Sequence, residues 1–140
     1  MSAKAFVDTN VLVYAHDASA GFKHDSARAL VEELWNTRRG VLSTQVLQEL
    51  YVNVRRKAAH PLSTAQARQL LADYLRWHVV VNSGDSVLEA IDIEERYKLS
   101  FWDALIIQAA QAAGADTLYS EDLSHGQQYG AVRVVNPLQP

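Results

Sequence analysis

Near the start of the chain a carboxylate is set between two apolar runs. Ala5, Phe6 and Val7 end abruptly at Asp8; Thr9 and Asn10 follow, then Val11, Leu12, Val13 and Tyr14. Short apolar runs bounded by polar turn formers read as a buried strand feeding a helix. Asp8 thereby falls at the carboxyl end of a first, central parallel strand, the edge at which open α/β sheets bind ligands. An ionised carboxylate in that position is costly unless something pairs with it. Asp8 either caps the following turn or holds a cation, and this stretch alone leaves both open.

The chain's 140 residues suffice for one domain with a real core, taken here as 1–140. Absence of cysteine excludes disulfides, thiolate zinc sites and a cysteine nucleophile. No run of about 18 apolar residues is long enough to span a membrane, and Asp8 interrupts the one early apolar run that a secretory leader would need. The expectation is a cytoplasmic protein. Thirteen Lys and Arg against sixteen Asp and Glu give a net charge of −3, which argues against a passive nucleic-acid binder. Four acids neutralised by metal would move that balance to +1. The bases cluster at Arg38-Arg39 and at Arg55-Arg56-Lys57, followed by His60. They are either solvated helix ends or a rim that contacts phosphate.

Strand and helix signals alternate along the chain. Asp17 to Gly21 reads as a loop, and the spacing of Ala27, Leu30, Val31, Leu34 and Trp35 predicts a helix from Phe22 to Arg39, stopped by Gly40. Val41-Leu42 is a short strand. A helix from Gln45 to about Ala59, capped by Ser43 or Thr44, turns Val46, Leu47, Leu50, Tyr51 and Val54 inward. Glu49 lies beside that apolar face. Ser63 to Gln66 has the spacing of a capping box and opens a helix to Trp77. His78 to Val81 is a third strand. A helix from about Val87 to Lys98 turns Val87, Leu88, Ile91 and Tyr97 inward. Ser100 opens a helix that is apolar nearly all round and ends at Gly114. Thr117–Tyr119 and Val132–Val135 are the fourth and fifth strands. This alternation implies a parallel sheet of five strands with helical crossovers.

Asp8, Glu49, Asp103 and Asp122 each lie against an apolar segment, at a strand end or near a helix start. In a doubly wound sheet such positions converge on one crevice. Asp103, in the first turn of its helix, faces the positive end of the helix dipole. Carboxylates that converge without bases repel one another, and survive by sharing protons or by binding a hard cation. Oxygen ligands alone select Mg²⁺ or Mn²⁺ over zinc or copper. Two such ions roughly 3.5–4 Å apart can activate water and stabilise a leaving oxygen in phosphodiester hydrolysis. Other chemistries find little support. No glycine-rich phosphate loop follows the first strand. The five histidines lack metal-ligand spacing, although His125 closely follows Asp122. Trp102 reads as core rather than as a base-stacking platform.

The segments FVDTNVLVYA, QELYVNV, LSFWDALIIQAA, LYSEDLSHGQ and the closing VVNP, in that order, resemble PIN-domain ribonucleases, and more narrowly the VapC toxins of toxin–antitoxin pairs. The resemblance runs from Phe6 to Pro137. It implies a three-layer α/β/α sandwich and an endoribonuclease dependent on Mg²⁺ or Mn²⁺, in which metal-activated water hydrolyses RNA. It places Asp8, Glu49, Asp103 and Asp122 as catalytic metal ligands, with Thr9, Asn10 and Ser120 supporting them. Arg55, Arg56 and Lys57 are candidate RNA contacts. It also implies a homodimer silenced by a VapB-like antitoxin.

Two rivals stand beside this reading. A non-catalytic PIN-like adaptor would keep the rim bases without turnover, since fold alone does not confer activity. A strand-end aspartate also serves phosphatases and receiver domains. The former want a second acid two residues on, where Asn10 stands, and the latter want an acidic pair, whereas Asp8 is alone among the first sixteen residues.

Overall fold

The strand that carries Asp8, β1 (Ala5–Val7), is buried along its whole length, because it is paired on both sides and covered on both faces. The computed structural model describes residues 3–139, with the side chain of Lys57 outside that description. Parallel neighbours of β1 are β2 (Gly40–Ser43), which sets Gly40 beside Ala5, and β4 (Thr117–Tyr119), which sets Thr117 beside Ala5. Outside these lie β3 (His78–Val80) and β6 (Val132–Val135), also parallel. The five expected strands are all present. A sixth, β5 (Gln128–Tyr129), runs antiparallel to β6 and completes the order β3-β2-β1-β4-β6-β5. Two residues are too few to show either alternation or an apolar run in the sequence. β5 leaves β6 with no bare edge, a common way of protecting a sheet. Burial follows position: β1 and β2 are buried throughout, as central parallel strands must be, whereas β6 alternates, with Arg133 exposed.

The helices are α1 (Thr9–Ala15), α2 (Phe22–Thr37), α3 (Thr44–Val52), α4 (Thr64–Tyr74), α5 (Gly84–Tyr97) and α6 (Phe101–Ala112). α1 packs on α2 and α3, and α3 on α4; α5 packs on α6, which lies against β2, β4 and β6. The result is the expected three-layer α/β/α sandwich. None of the described helices is long and apolar enough to cross a membrane. Side-chain caps fix the helix starts. Ser43 accepts from the Val46 amide, and Ser63 and Gln66 form the expected reciprocal box. Gly114, with φ of +71°, follows α6 in the left-handed conformation that glycine adopts without a steric penalty.

Several boundaries depart from expectation. α2 ends two residues early, at Thr37, and is capped by Arg38, whose φ of 59° is unusual for a residue with a side chain; Gly40 instead opens β2. The Asp17–Gly21 loop contains a 3₁₀ turn, Ala18–Ala20, capped by Asp17. α3 passes into a π turn over Asn53–Lys57, a feature often found near functional sites. α4 stops at Tyr74 rather than Trp77. Tyr51 is at the surface, while Val46, Leu50 and Val54 face the core.

The largest correction concerns α5. Its buried residues are Ser86, Ala90 and Ile93, whereas Val87, Leu88 and Ile91, expected to point inward, are 40%, 62% and 45% exposed. A helix with one helical neighbour buries only a strip of its circumference. Ser86, Ala90 and Ile93 fill the strip that faces the alanine-rich α6, so Val87, Leu88 and Ile91 are left outside it. Tyr97 is half-buried and meets Tyr129 edge-on at 4.9 Å.

Candidate active site

Asp8 caps α1, the first of the two alternatives left open above, and also enters a buried network. One carboxylate oxygen accepts the Thr9 amide at 2.7 Å; the other accepts the Ser120 hydroxyl at 2.8 Å. β1 and β4 are neighbours, which places Ser120, one residue past β4, beside Asp8, one residue past β1. Only 6% of Asp8 is exposed. Burial pushes its carboxyl up from 3.8 to about 6, against the two hydrogen bonds, which favour the charged form, and with help from the negative charges of Glu49 and Asp122.

The other three acids reach the same cleft from separate elements. Glu49, on α3, accepts the Thr9 hydroxyl at 2.7 Å and is approached by the Gln45 amide at 3.5 Å. Asp122 is positioned by its own backbone amide, which donates to Ser120 Oγ at 3.2 Å, and its side chain is exposed. Ser120 therefore ties two of the acids together: it donates to Asp8 and accepts from the Asp122 and Leu123 amides. At the start of α6 the Ser100 hydroxyl accepts the Asp103 amide at 3.1 Å. The reciprocal half of that capping box is not made among the described residues, so the Asp103 carboxylate is left to face the cleft. Asp8, Glu49, Asp103 and Asp122 together line a cavity of about 700 Å³.

The donor chemistry suits a hard dication: the four acids offer only oxygen. The charges of Glu49 and Asp122 also disfavour the ionised form of Asp8, a repulsion that a cation between them would relieve. As they stand, no three His, Asp or Glu side chains among the described residues converge tightly enough to enclose an ion. Binding therefore requires the half-buried and exposed members, Glu49, Asp103 and Asp122, to turn toward the fixed Asp8.

Asn10 lines the cleft and accepts the Glu121 amide at 3.2 Å. Glu121 itself is occupied: Lys23 meets it at 2.6 Å and the Tyr14 hydroxyl donates to it at 3.2 Å. That cross-link between α2 and the loop after β4 joins residues too far apart in sequence for any local spacing to reveal. The basic rim behaves differently. Arg55 Nη1 donates to the Leu62 carbonyl at 3.1 Å and its Nε is buried without a partner, so this side chain ties down the loop before α4. Arg56 is exposed, the Lys57 side chain lies outside the described residues, and neither Arg55 nor Arg56 lines the cleft. His125 turns away from Asp122 and accepts the Asn136 amide. Among the lining residues that no local sequence signal marks are Gln45 and Trp102. Gln45 is 5% exposed and holds the Trp102 carbonyl at 3.2 Å; Trp102, expected in the core, is 63% exposed.

The chain matches the PIN domain over residues 5–128. No curated protein matches it. Among solved structures it is similar to a toxin–antitoxin complex from Klebsiella pneumoniae, with 19% identity over 96% of this chain and 98% of that one and a TM-score of 0.71. VapC20 of Mycobacterium tuberculosis, described as a sarcin–ricin loop cleaving toxin, shares 23% identity over 85% of this chain and 90% of that one, with a TM-score of 0.64. VapBC2 of Rickettsia felis, bound to a DNA fragment from its promoter, shares 20% identity over 93% and 96%, with a TM-score of 0.65. At these identities the structures speak to the fold, and the domain match covers most of the chain: this protein belongs to the PIN-domain family.

Proposed function

We propose that this chain is a Mg²⁺- or Mn²⁺-dependent endoribonuclease and the toxin of a toxin–antitoxin pair. The observation that carries the reading is the arrival of Asp8, Glu49, Asp103 and Asp122, from four separate parts of the chain, on one cleft at the carboxyl edge of the sheet. A bound dication would activate water and stabilise the leaving oxygen of the phosphodiester. Asp8, fixed by Thr9 and Ser120, is the rigid ligand, and Glu49, Asp103 and Asp122 complete the set. Thr9 orients Glu49, Ser120 orients Asp8 and the Asp122 loop, and Asn10 holds the Glu121 amide. Purified protein is expected to cleave RNA in Mg²⁺ or Mn²⁺ and to lose that activity in EDTA. Undiminished cleavage after exhaustive chelation would remove the metal from the mechanism, and RNA binding without cleavage in any divalent ion would favour the non-catalytic adaptor.

The toxin role rests on the resemblance to VapC proteins and on the toxin–antitoxin complexes among the similar structures; its partner would be a VapB-like antitoxin. The same resemblance implies a homodimer, and the exposed Val87, Leu88 and Ile91 of α5 offer the apolar face that a second copy would cover. Leu88→Arg is expected to shift the protein to monomer in analytical ultracentrifugation with its melting temperature changed by no more than a few degrees. A variant that sediments like the wild type would take α5 out of the interface.

A further inference from the structure

We propose that Trp102 is a stacking platform for an unpaired nucleobase beside the cleaved phosphate. This rests on the ribonuclease reading above. The three tryptophans have different surroundings. Trp35 and Trp77 meet edge-on at 5.4 Å in an aromatic cluster with Tyr74, whereas Trp102 is 63% exposed. The ring is nonetheless held. Phe101 lies edge-on to it at 5.2 Å, its carbonyl accepts the Gln45 amide at 3.2 Å, and it sits in the first turn of α6, which Ser100 caps. It lines the cleft one residue before Asp103.

Electrostatics favour such a platform. Asp8, Asp17, Glu49, Asp103 and Asp122 line the cleft, and among the described residues no Lys or Arg does. A polyanion therefore gains no attraction from the described lining side chains. Contacts that ignore charge add affinity there. Stacking of a base on an aromatic face is such a contact, tolerates any base, and needs that base out of a duplex. The support of the ring is itself well seated: Gln45, which holds the Trp102 carbonyl, is 95% buried. Asn53 brings a second amide to the same lining.

The test uses the full chain, wild type, Trp102→Phe and Trp102→Ala, titrated in Ca²⁺ with a single-stranded oligoribonucleotide, the same strand with abasic positions introduced in turn, and its duplex. Trp102→Ala is expected to weaken single-strand binding roughly 5- to 150-fold, the loss of one stacked base, and Trp102→Phe to weaken it less. One abasic position should reproduce the loss in the wild type and add little in Trp102→Ala. The duplex should bind the wild type no better than the single strand binds Trp102→Ala. RNA should also shield wild-type fluorescence from acrylamide, since Trp102 is the exposed indole. Equal single-strand binding by wild type and Trp102→Ala, with RNA still cleaved, overturns the platform and leaves the nuclease standing. Failure of the wild type to bind or cleave any RNA overturns both. Conversion of Trp102→Ala to a different oligomeric state assigns the ring to a protein interface and overturns the platform as well.

Discussion

Asp8→Asn is expected to abolish RNA cleavage and, in chelated protein, to alter stability by an amount that depends on pH. The Asp8 carboxyl is raised from 3.8 to about 6, chiefly by burial. The folded state therefore keeps its proton over a window in which the unfolded state has already released it, so wild-type stability falls as pH rises from about 4 to about 6. At 1.36 kcal/mol per pH unit, the total is on the order of 3 kcal/mol. Asn carries no such proton. Measured by urea denaturation in EDTA at a series of pH values, the stability of Asp8→Asn relative to wild type should rise by about that amount between pH 4 and pH 7. The absolute offset is set separately. The new amide nitrogen would face Ser120 Oγ, whose acceptor capacity the Asp122 and Leu123 amides already use. It is thus the slope, not the sign at one pH, that reports on Asp8. Mg²⁺ should raise the melting temperature of the wild type by binding the folded state, and should raise that of the variant less. A gap that stays flat with pH, with an undiminished metal increment, would make Asp8 an ordinary helix cap.

The parts of the molecule that were legible in the sequence are those where local rules and tertiary packing agree. β1 ends where its apolar run ends. The reciprocal cap of α4 follows from Ser63 and Gln66, and Gly114 takes the left-handed position its place after α6 demands. The four acids were visible because each interrupts an apolar segment, and the sheet brings them to one cleft. The misreadings share another origin. Periodicity finds an apolar stripe without saying what covers it. In α5 the stripe is wide, and the neighbour α6 covers only Ser86, Ala90 and Ile93, so Val87, Leu88 and Ile91 remain outside. Trp102 was assigned to the core on size and apolarity alone, and no local pattern shows that the second residue of α6 opens onto the cleft. Arg55 looked like part of a basic rim, yet its partner is the Leu62 carbonyl across a loop, a contact that charge counting cannot reveal.

Gly40 is the residue where a local rule hid a tertiary one, and its replacement is expected to have the largest effect on stability of any single methyl group added to the sheet. Gly40 reads as a helix stop, but α2 has already ended at Thr37, and Gly40 begins β2 beside Ala5 of β1. Its conformation is not what demands glycine. A Cβ there would lie 2.4 Å from Cε3 and Cζ3 and 2.7 Å from Cδ2 of Trp77. The indole has little room to retreat: it is 8% exposed and meets Trp35 at 5.4 Å and Tyr74 at 5.2 Å, and the Tyr74 hydroxyl is in turn 2.6 Å from His16 Nε2. Overpacking of this kind costs roughly 1–3 kcal/mol and can exceed that when backbone must move. For a domain of this size Gly40→Ala should lower the melting temperature by roughly 3–10 °C. The strain would be felt in the cleft, because β2 leads through Ser43 into α3, which carries Glu49. Trp77→Leu removes the ring that the methyl group would strike, at its own cost from the cavity left behind. In that background Gly40→Ala should cost at most a few tenths of a kcal/mol, a strong coupling in a double-mutant cycle. Additive penalties in urea denaturation of the four proteins would show that the demand for glycine at position 40 comes from somewhere other than the Trp77 ring.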